Sequence, residues 1–321
     1  MKKIKSIVMF SALAAAFTLT SCDDEDDKKD VVVPPISNVI EKSGVITESE
    51  TWTADKTYIL DGRVTVSGGA TLTIDPGTII KANPGSGSVS SALLISRDGK
   101  IMANGSPSAP IIFTSIADDI VSGEVESPNM DADNSGLWGG IIILGKAPIR
   151  ASTTEAQIEG IPTSDQNGLY GGTEAGHNSG ELSYVSIRHG GSDIGEGNEI
   201  NGLTMGAVGA GTTIEYVEVL YNKDDGFEWF GGNVNTRYLV SAFNGDDSFD
   251  YDEGFNGKGQ FWLALQAPNR GNQGGEHDGG NKPDDSQPYA RPVISNVTYI
   301  GSGANSGNTK SAGLMLRDNA G

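Results

Sequence analysis

Two neighbouring stretches decide the fold: 216–232, YVEVLYNKDDGFEWFGG, and 238–254, YLVSAFNGDDSFDYDEG. A shift of 22 residues lays Tyr216 on Tyr238, Asn222 on Asn244, Asp224 on Asp246, Asp225 on Asp247, Phe227 on Phe249 and Gly232 on Gly254. Similar residues fill the gaps: Val217 on Leu239, Tyr221 on Phe243, Glu228 on Asp250 and Trp229 on Tyr251. A unit this short cannot bury an apolar face alone and must stack on copies of itself. In a stack of parallel strands equivalent residues lie about 4.8 Å apart. Phe227 is then expected on Phe249 in the bore, and Asn222 on Asn244 in a ladder that satisfies turn amides.

Outward from this pair the same grammar recurs. Residues 64–82 read VTVSGGATLTIDPGTIIKA: alternating β-branched runs around Asp75-Pro76-Gly77. That turn has a mechanism, because Pro fixes φ and Gly accepts positive φ. Residues 93–115, 136–149, 182–191 and 202–219 carry similar short strands, and helical periodicity is nearly absent after residue 45. With no helices there are no βαβ units, and the strands are too short for a sandwich of hairpins. The expected fold is all-β: a parallel β-helix solenoid with coils of about 22 residues over 46–321.

The N-terminus reads differently. Lys2, Lys3 and Lys5 precede an apolar run from Ile7 to Leu19, followed by Ser21 and Cys22, the chain's single cysteine. This is the layout of a signal peptide over 1–21, too short for a comfortable membrane span. A small residue before a lone cysteine resembles the lipobox of bacterial lipoproteins, which implies cleavage before Cys22 and lipid on its sulfur. The plain alternative is a secretory signal followed by a buried thiol. Asp23-Asp24-Glu25-Asp26-Asp27 cannot bury and stays solvated. It resembles the acidic surface-export tag of Bacteroidota lipoproteins; a periplasmic spacer is the alternative. Residues 22–45 are therefore expected to be a lipidated acidic tether, stiffened at Val31-Val32-Val33-Pro34-Pro35.

The net charge is −20, and loss of three signal lysines takes the mature chain to −23. This argues against nucleic acid and anionic membrane as partners, so contact with membrane is expected only through the lipid on Cys22. One cysteine permits no disulfide framework, and the fold must rest on hydrogen-bond ladders and packing.

The segments GATLTIDPGTIIKA, GLWGGIIILGKAPI, GLTMGAVGAGTTIEYVEV and the DDGFEWFGG/DDSFDYDEG pair together resemble a family of secreted right-handed parallel β-helix proteins. Many of these are bacterial surface lipoproteins, especially in Bacteroidota. The resemblance covers about residues 45–321. It implies the pectin-lyase-like fold and an outer-membrane, cell-surface location, and it brings no settled activity.

Asp224, Asp225, Asp246, Asp247, Asp250, Asp252 and Glu253, with Glu228, fall on two adjacent coils. Stacked carboxylates about 5 Å apart repel by roughly 3 kcal/mol at an effective dielectric of about 20. Three offsets exist: turn amides donate to them, a proton is shared, or a cation sits among them. Calcium is the natural extracellular cation and wants about six to eight oxygens. Alternatively, Asp-Asp-Gly and Asp-Asp-Ser are turn formers that cap backbone amides. An enzyme reading takes Asp224, Asp246 and Asp247 as catalytic carboxylates. Asn222-Lys223-Asp224 followed by Asp246-Asp247 resembles the spacing in β-helix polygalacturonases. The Gly-His-Gly of that pattern is missing, because 267–269 are Ala-Pro-Asn. A lyase would need a basic proton acceptor, for which Lys223 and Arg188 are the cations in reach.

Residues 266–292 read as a polar, Gly-rich loop that interrupts the coils, with Glu276, His277 and Asp278 as candidate ligands if it folds back on the acids. Trp229, Tyr251, Phe255 and Trp262 are candidates for stacking on sugar rings, with burial in the core as the alternative. His177, His189 and His277 have no ligand spacing for zinc. A strand at Leu314-Met315-Leu316 close to Gly321 suggests a truncated solenoid or a partner over its end. Taken together, the residues point to a surface-anchored, noncatalytic β-helix that binds extracellular glycan or another envelope component. A polysaccharide hydrolase or lyase and an adhesin are the competing readings.

Overall fold

Short strands with inward β-branched and aromatic residues, each ended by a sharp turn, can bury one face only by winding. The chain does so in a computed structural model that describes residues 38–321, apart from 152, 196–197, 281–286 and 305–311. The signal, Cys22 and the acidic run lie outside the described residues. Nineteen of the described strands form one continuous parallel ladder that closes into a right-handed β-helix, and two short antiparallel pairs lie outside it. Each coil supplies three short segments. The run Thr213–Leu220 is bent at Tyr216, so that 213–215 and 217–220 lie in different sheets, and Phe227–Phe230 makes the third.

The three sheets can be followed through the register. The first stacks Glu50–Trp52, Thr71–Ile74, Lys100–Asn104 and the leading halves of Gly180–Arg188, Thr213–Leu220, Asn235–Ala242, Lys258–Leu265 and Val293–Ile300. The second continues through the trailing halves of those same runs, from Ile79–Ala82 and Ile111–Ser115 upward. The third runs from Ala92–Ile95 through Ile141–Leu144, Leu203–Gly206, Phe227–Phe230, Phe249–Asp252 and Glu276–Asp278 to Met315–Arg317.

The register is the one the 22-residue repeat demands. Phe227 pairs with Phe249, and their rings stack with centroids 5.5 Å apart. The Asn222 amide N–H donates to Asn244 Oδ1 at 2.8 Å, and Asn244 Nδ2 donates to Ser241 Oγ at 2.8 Å. Trp229, Phe249, Phe255 and Trp262 fill the bore, with the indoles of Trp229 and Trp262 stacked at 5.0 Å. The four aromatics proposed as sugar platforms, Trp229, Tyr251, Phe255 and Trp262, are thus all core residues: alternation within the strands points the first, second and last inward, and Phe255 packs against Trp229 from the turn after Phe249–Asp252.

Two boundaries differ from the sequence reading. The first strand is Asn38–Ile46, and it pairs with Lys56–Val66, so the coils begin inside the stretch read as tether. The 266–292 segment carries a strand, Glu276–Asp278, inserted in register between Phe249–Asp252 and Met315–Arg317. The signal was hidden because this rung is Gly-rich and polar and sits 26 residues, not 22, after its equivalent.

The bends between the first and second sheets carry an unusual load. Tyr184, Tyr216, Tyr238 and Phe261 occupy them with φ of 51°, 53°, 57° and 59°, and Asn296 follows at 56°. A left-handed conformation costs a bulky L-residue roughly 1–2 kcal/mol, whereas Asn adopts it readily. The rings stack at 4.4, 4.4 and 5.1 Å, returning about 0.5–1.5 kcal/mol per pair. Stacking therefore offsets the strain without exceeding it. A second column, His189, Tyr221 and Phe243, repeats the device after the second sheet.

The chain leaves the coil in excursions. The longest described one, after Ile141–Leu144, packs Ile149, Ile158, Ile161 and Tyr170 onto Leu94, Ile142, Leu144 and Ala207, covering part of the third sheet's outer face. Among the described residues no helix is long and apolar enough to cross a membrane.

The asparagine ladder makes unequal demands. Asn244→Ala orphans a buried amide and is expected to cost about 1–3 kcal/mol by urea unfolding. Asn222→Ala is expected to cost less, since Asn222 Oδ1 accepts no hydrogen bond. Equal losses would contradict this account of the ladder.

Candidate functional site

Register makes the acids into columns. Across the third sheet Glu228 pairs with Asp250 and Asp250 with Glu276, and Asp278 lies near enough to Asp252 to act on its charge. In the preceding turns Asp225 and Asp247 stack likewise: the Asp247 amide donates to Asp225 Oδ1 at 2.7 Å, and the Gln273 amide donates to Asp247 Oδ1. Asp225 and Asp247 are 7% and 4% exposed, so water does little to screen them. Asn201 Nδ2 donates to Glu228 Oε2.

Burial is the first cause for every perturbed carboxyl of the cluster, and like charge the next for Asp225, Glu228 and Asp250. It pushes Asp225, Glu228 and Asp250 well above the ordinary carboxylate range, with neighbouring acids adding to the effect. Burial and a hydrogen bond with Glu276 push Asp247 up to about 8. The acids therefore share protons, or a cation, rather than all ionising at neutral pH. One Asp250 oxygen is buried with no hydrogen-bond partner, and nearest oxygens of Asp225, Asp247 and Asp250 lie within 4.8 Å of one another. Asp224, Asp225 and Asp246 form a second such trio around the same Asp225. Oxygen-only donors that converge in this way suit a hard cation such as calcium.

The other expected ligands go elsewhere. Glu253 accepts from the Tyr170 hydroxyl at 2.7 Å, and burial lifts its carboxyl to about 7. Asp252 Oδ1 accepts from the Glu253 amide, and neither residue belongs to the two trios. Glu276 joins the cluster beside Asp250 and Asp247. His277 does not: it points into the bore, stacks on Tyr251 at 4.1 Å and is held by burial to a pKa of about 4. Asp278 is tied to Arg317 at 2.8 Å, and Arg317 also pairs with Glu276. Arg188, proposed as a lyase base, lies on the second sheet, bonded to Ser186 Oγ at 2.6 Å and paired with Glu218 at 3.4 Å.

Sequence reasoning missed an exposed site on another corner. Tyr184, Tyr216, Tyr238 and Phe261 floor a cleft of about 570 Å³, with Arg188 and Glu218 among its lining residues. The 22-residue repeat already aligned Tyr216 with Tyr238, but inward and outward aromatic columns look alike in sequence.

The chain belongs to the family described as pectate-lyase-like β-helix domains, whose model matches residues 44–321. No curated protein and no solved structure matches it.

The acid columns fix a pH dependence. Carboxyls raised in the folded state hold protons that the unfolded chain, with carboxyl pKa values near about 4, has released. Their contribution is complete below about pH 4 and is lost as pH rises through the folded values, near 8 for Asp247. In calcium-free buffer the melting temperature is expected to fall between pH 5 and pH 8. Asp247→Asn, which keeps both hydrogen bonds of this side chain, is expected to flatten that fall; a rise with pH in the wild type would contradict the assignment.

Proposed function

We propose that this protein is a lipid-anchored component of the outer membrane whose β-helix binds extracellular glycan, or another envelope component, without turning it over. Cys22 is the anchor, and the acidic run 23–27 directs the domain to the cell surface. The observation that carries the noncatalytic reading is the way Asp225 and Asp247 are spent. Each is buried and accepts a backbone amide from the next rung. Asp224 and Asp246 approach within 4.8 Å, closer than the roughly 6.5–9.5 Å that an inverting glycosidase leaves for its water. Arg317, a cation beside the column, is held by Glu276 and Asp278. Membership of a pectate-lyase-like family supports polysaccharide as the ligand class.

In the same reading a calcium ion relieves the repulsion among Asp224, Asp225, Asp246, Asp247 and Asp250 at neutral pH. The full-length protein on a glycan array, with and without chelator, tests both parts. Binding to at least one glycan without release of products is expected. Chelator is expected to lower the melting temperature at pH 8 more than at pH 5, where protons replace the ion. Glycan turnover that Asp247→Asn abolishes in a folded protein would establish the enzyme instead. Binding to host protein and to no sugar would establish an adhesin. A melting temperature unmoved by chelator at pH 8 would remove the calcium.

A further inference from the structure

The tyrosine-floored cleft lies on the corner between the first and second sheets, away from the acid column of the third. Its aromatic residues hold a left-handed backbone that Asn296 satisfies one rung on without a ring. Strain retained on successive rungs at an exposed position points to use of the rings themselves. The rings cover one another's faces, so they present edges and hydroxyls to the cleft. Stacking sets the Tyr184, Tyr216 and Tyr238 phenols in a row that ends at Phe261. Opposite stand Pro107, Pro110 and Val125.

One polar pair closes the floor. Arg188 is only 8% exposed; its Nε donates to Ser186 Oγ at 2.6 Å and its Nη2 faces Glu218 Oε1 at 3.4 Å. Ser186 Oγ donates to the same Glu218 oxygen at 2.6 Å. Among the described residues the other carboxylate oxygen and Nη1 make no hydrogen bond. Arg188 and Glu218 thus bring a donor and an acceptor to one cleft, a combination suited to sugar hydroxyls. Apolar walls, a hydroxyl row and this pair match a molecule with C–H faces and a hydroxylated edge. The two charges cancel, so the cleft holds no unpaired cation for a carboxylate, and the chain's net −20 repels a polyanion. The volume falls within the roughly 300–1,000 Å³ of small-molecule sites.

We propose that this cleft binds a neutral saccharide, gripped by Arg188 and Glu218 and laid along the Tyr184–Tyr216–Tyr238 row. The proposal rests on the glycan-binding reading and adds where the sugar sits and that it is uncharged.

The test is titration calorimetry of the full-length protein with neutral gluco-, manno- and galacto-tetrasaccharides, with trigalacturonate and with laurate. At least one neutral sugar is expected to bind, and trigalacturonate and laurate are not. Tyr216→Asn and Tyr238→Asn keep a residue suited to the left-handed bend and are expected to weaken binding about tenfold or more, with melting temperature retained. Val125→Trp, at a 47% exposed wall position, is expected to block the cleft without touching the ladder. Neutral-sugar binding that survives all three substitutions would overturn this site while leaving glycan binding intact. Preference for trigalacturonate would overturn the neutral class, and binding of laurate alone would overturn the saccharide. No saccharide bound here or on the array would remove the glycan reading itself.

Discussion

In-register stacking governs this molecule: each side chain on a rung meets its own equivalent one strand spacing away. For aromatics the rule is favourable, as in Phe227 on Phe249, and Trp262 from another sheet packs on Trp229 and Phe249 to fill the bore. For asparagine it is favourable too, since one residue's side chain accepts the next one's amide. For carboxylates it is costly, and the protein places Glu228, Asp250 and Glu276 in one column all the same. No disulfide is available to a chain with one cysteine, so these ladders bear the whole fold.

The costly column explains the chemistry of the third sheet. An isolated buried carboxylate would find a partner or stay protonated. Here Asp225 and Asp247 take backbone amides, Glu228 takes the Asn201 amide, and Glu276 takes Arg317. Asp250 is left with a buried oxygen and no hydrogen bond to it. The protonation of the column and the stability of the coil are thus one equilibrium, in which the proposed calcium ion would compete with protons.

Much of this was legible in residues 216–254, because a 22-residue offset with Phe on Phe and Asn on Asn leaves little freedom of register. The acid cluster was legible for the same reason. Other features were not. Glu276–Asp278 is a rung disguised by glycines and by a longer connection, so Glu276 could be named a candidate without being placed beside Asp250. Asp252 and Glu253 follow Asp250 in sequence, but the strand's rise carries them toward Tyr170 and away from the trios. Inward Trp229 and outward Tyr216 carry the same aromatic signal, and only the positive-φ bend at Tyr216 separates them.

The central claim is the register itself, and a pair of engineered cysteines reads it most directly. Glu215 and Arg237 face each other across adjacent rungs, with an ion pair at 2.5 Å. In a Cys22→Ser background, Glu215→Cys with Arg237→Cys is expected to form an intramolecular disulfide under mild oxidation, within the roughly 4.4–6.8 Å Cα separation such a bond accepts. Glu215→Cys with Tyr238→Cys, one residue out of step, is expected to stay reduced. Equal cross-linking of both pairs, or of neither, would contradict the stacked coil on which every site described above depends.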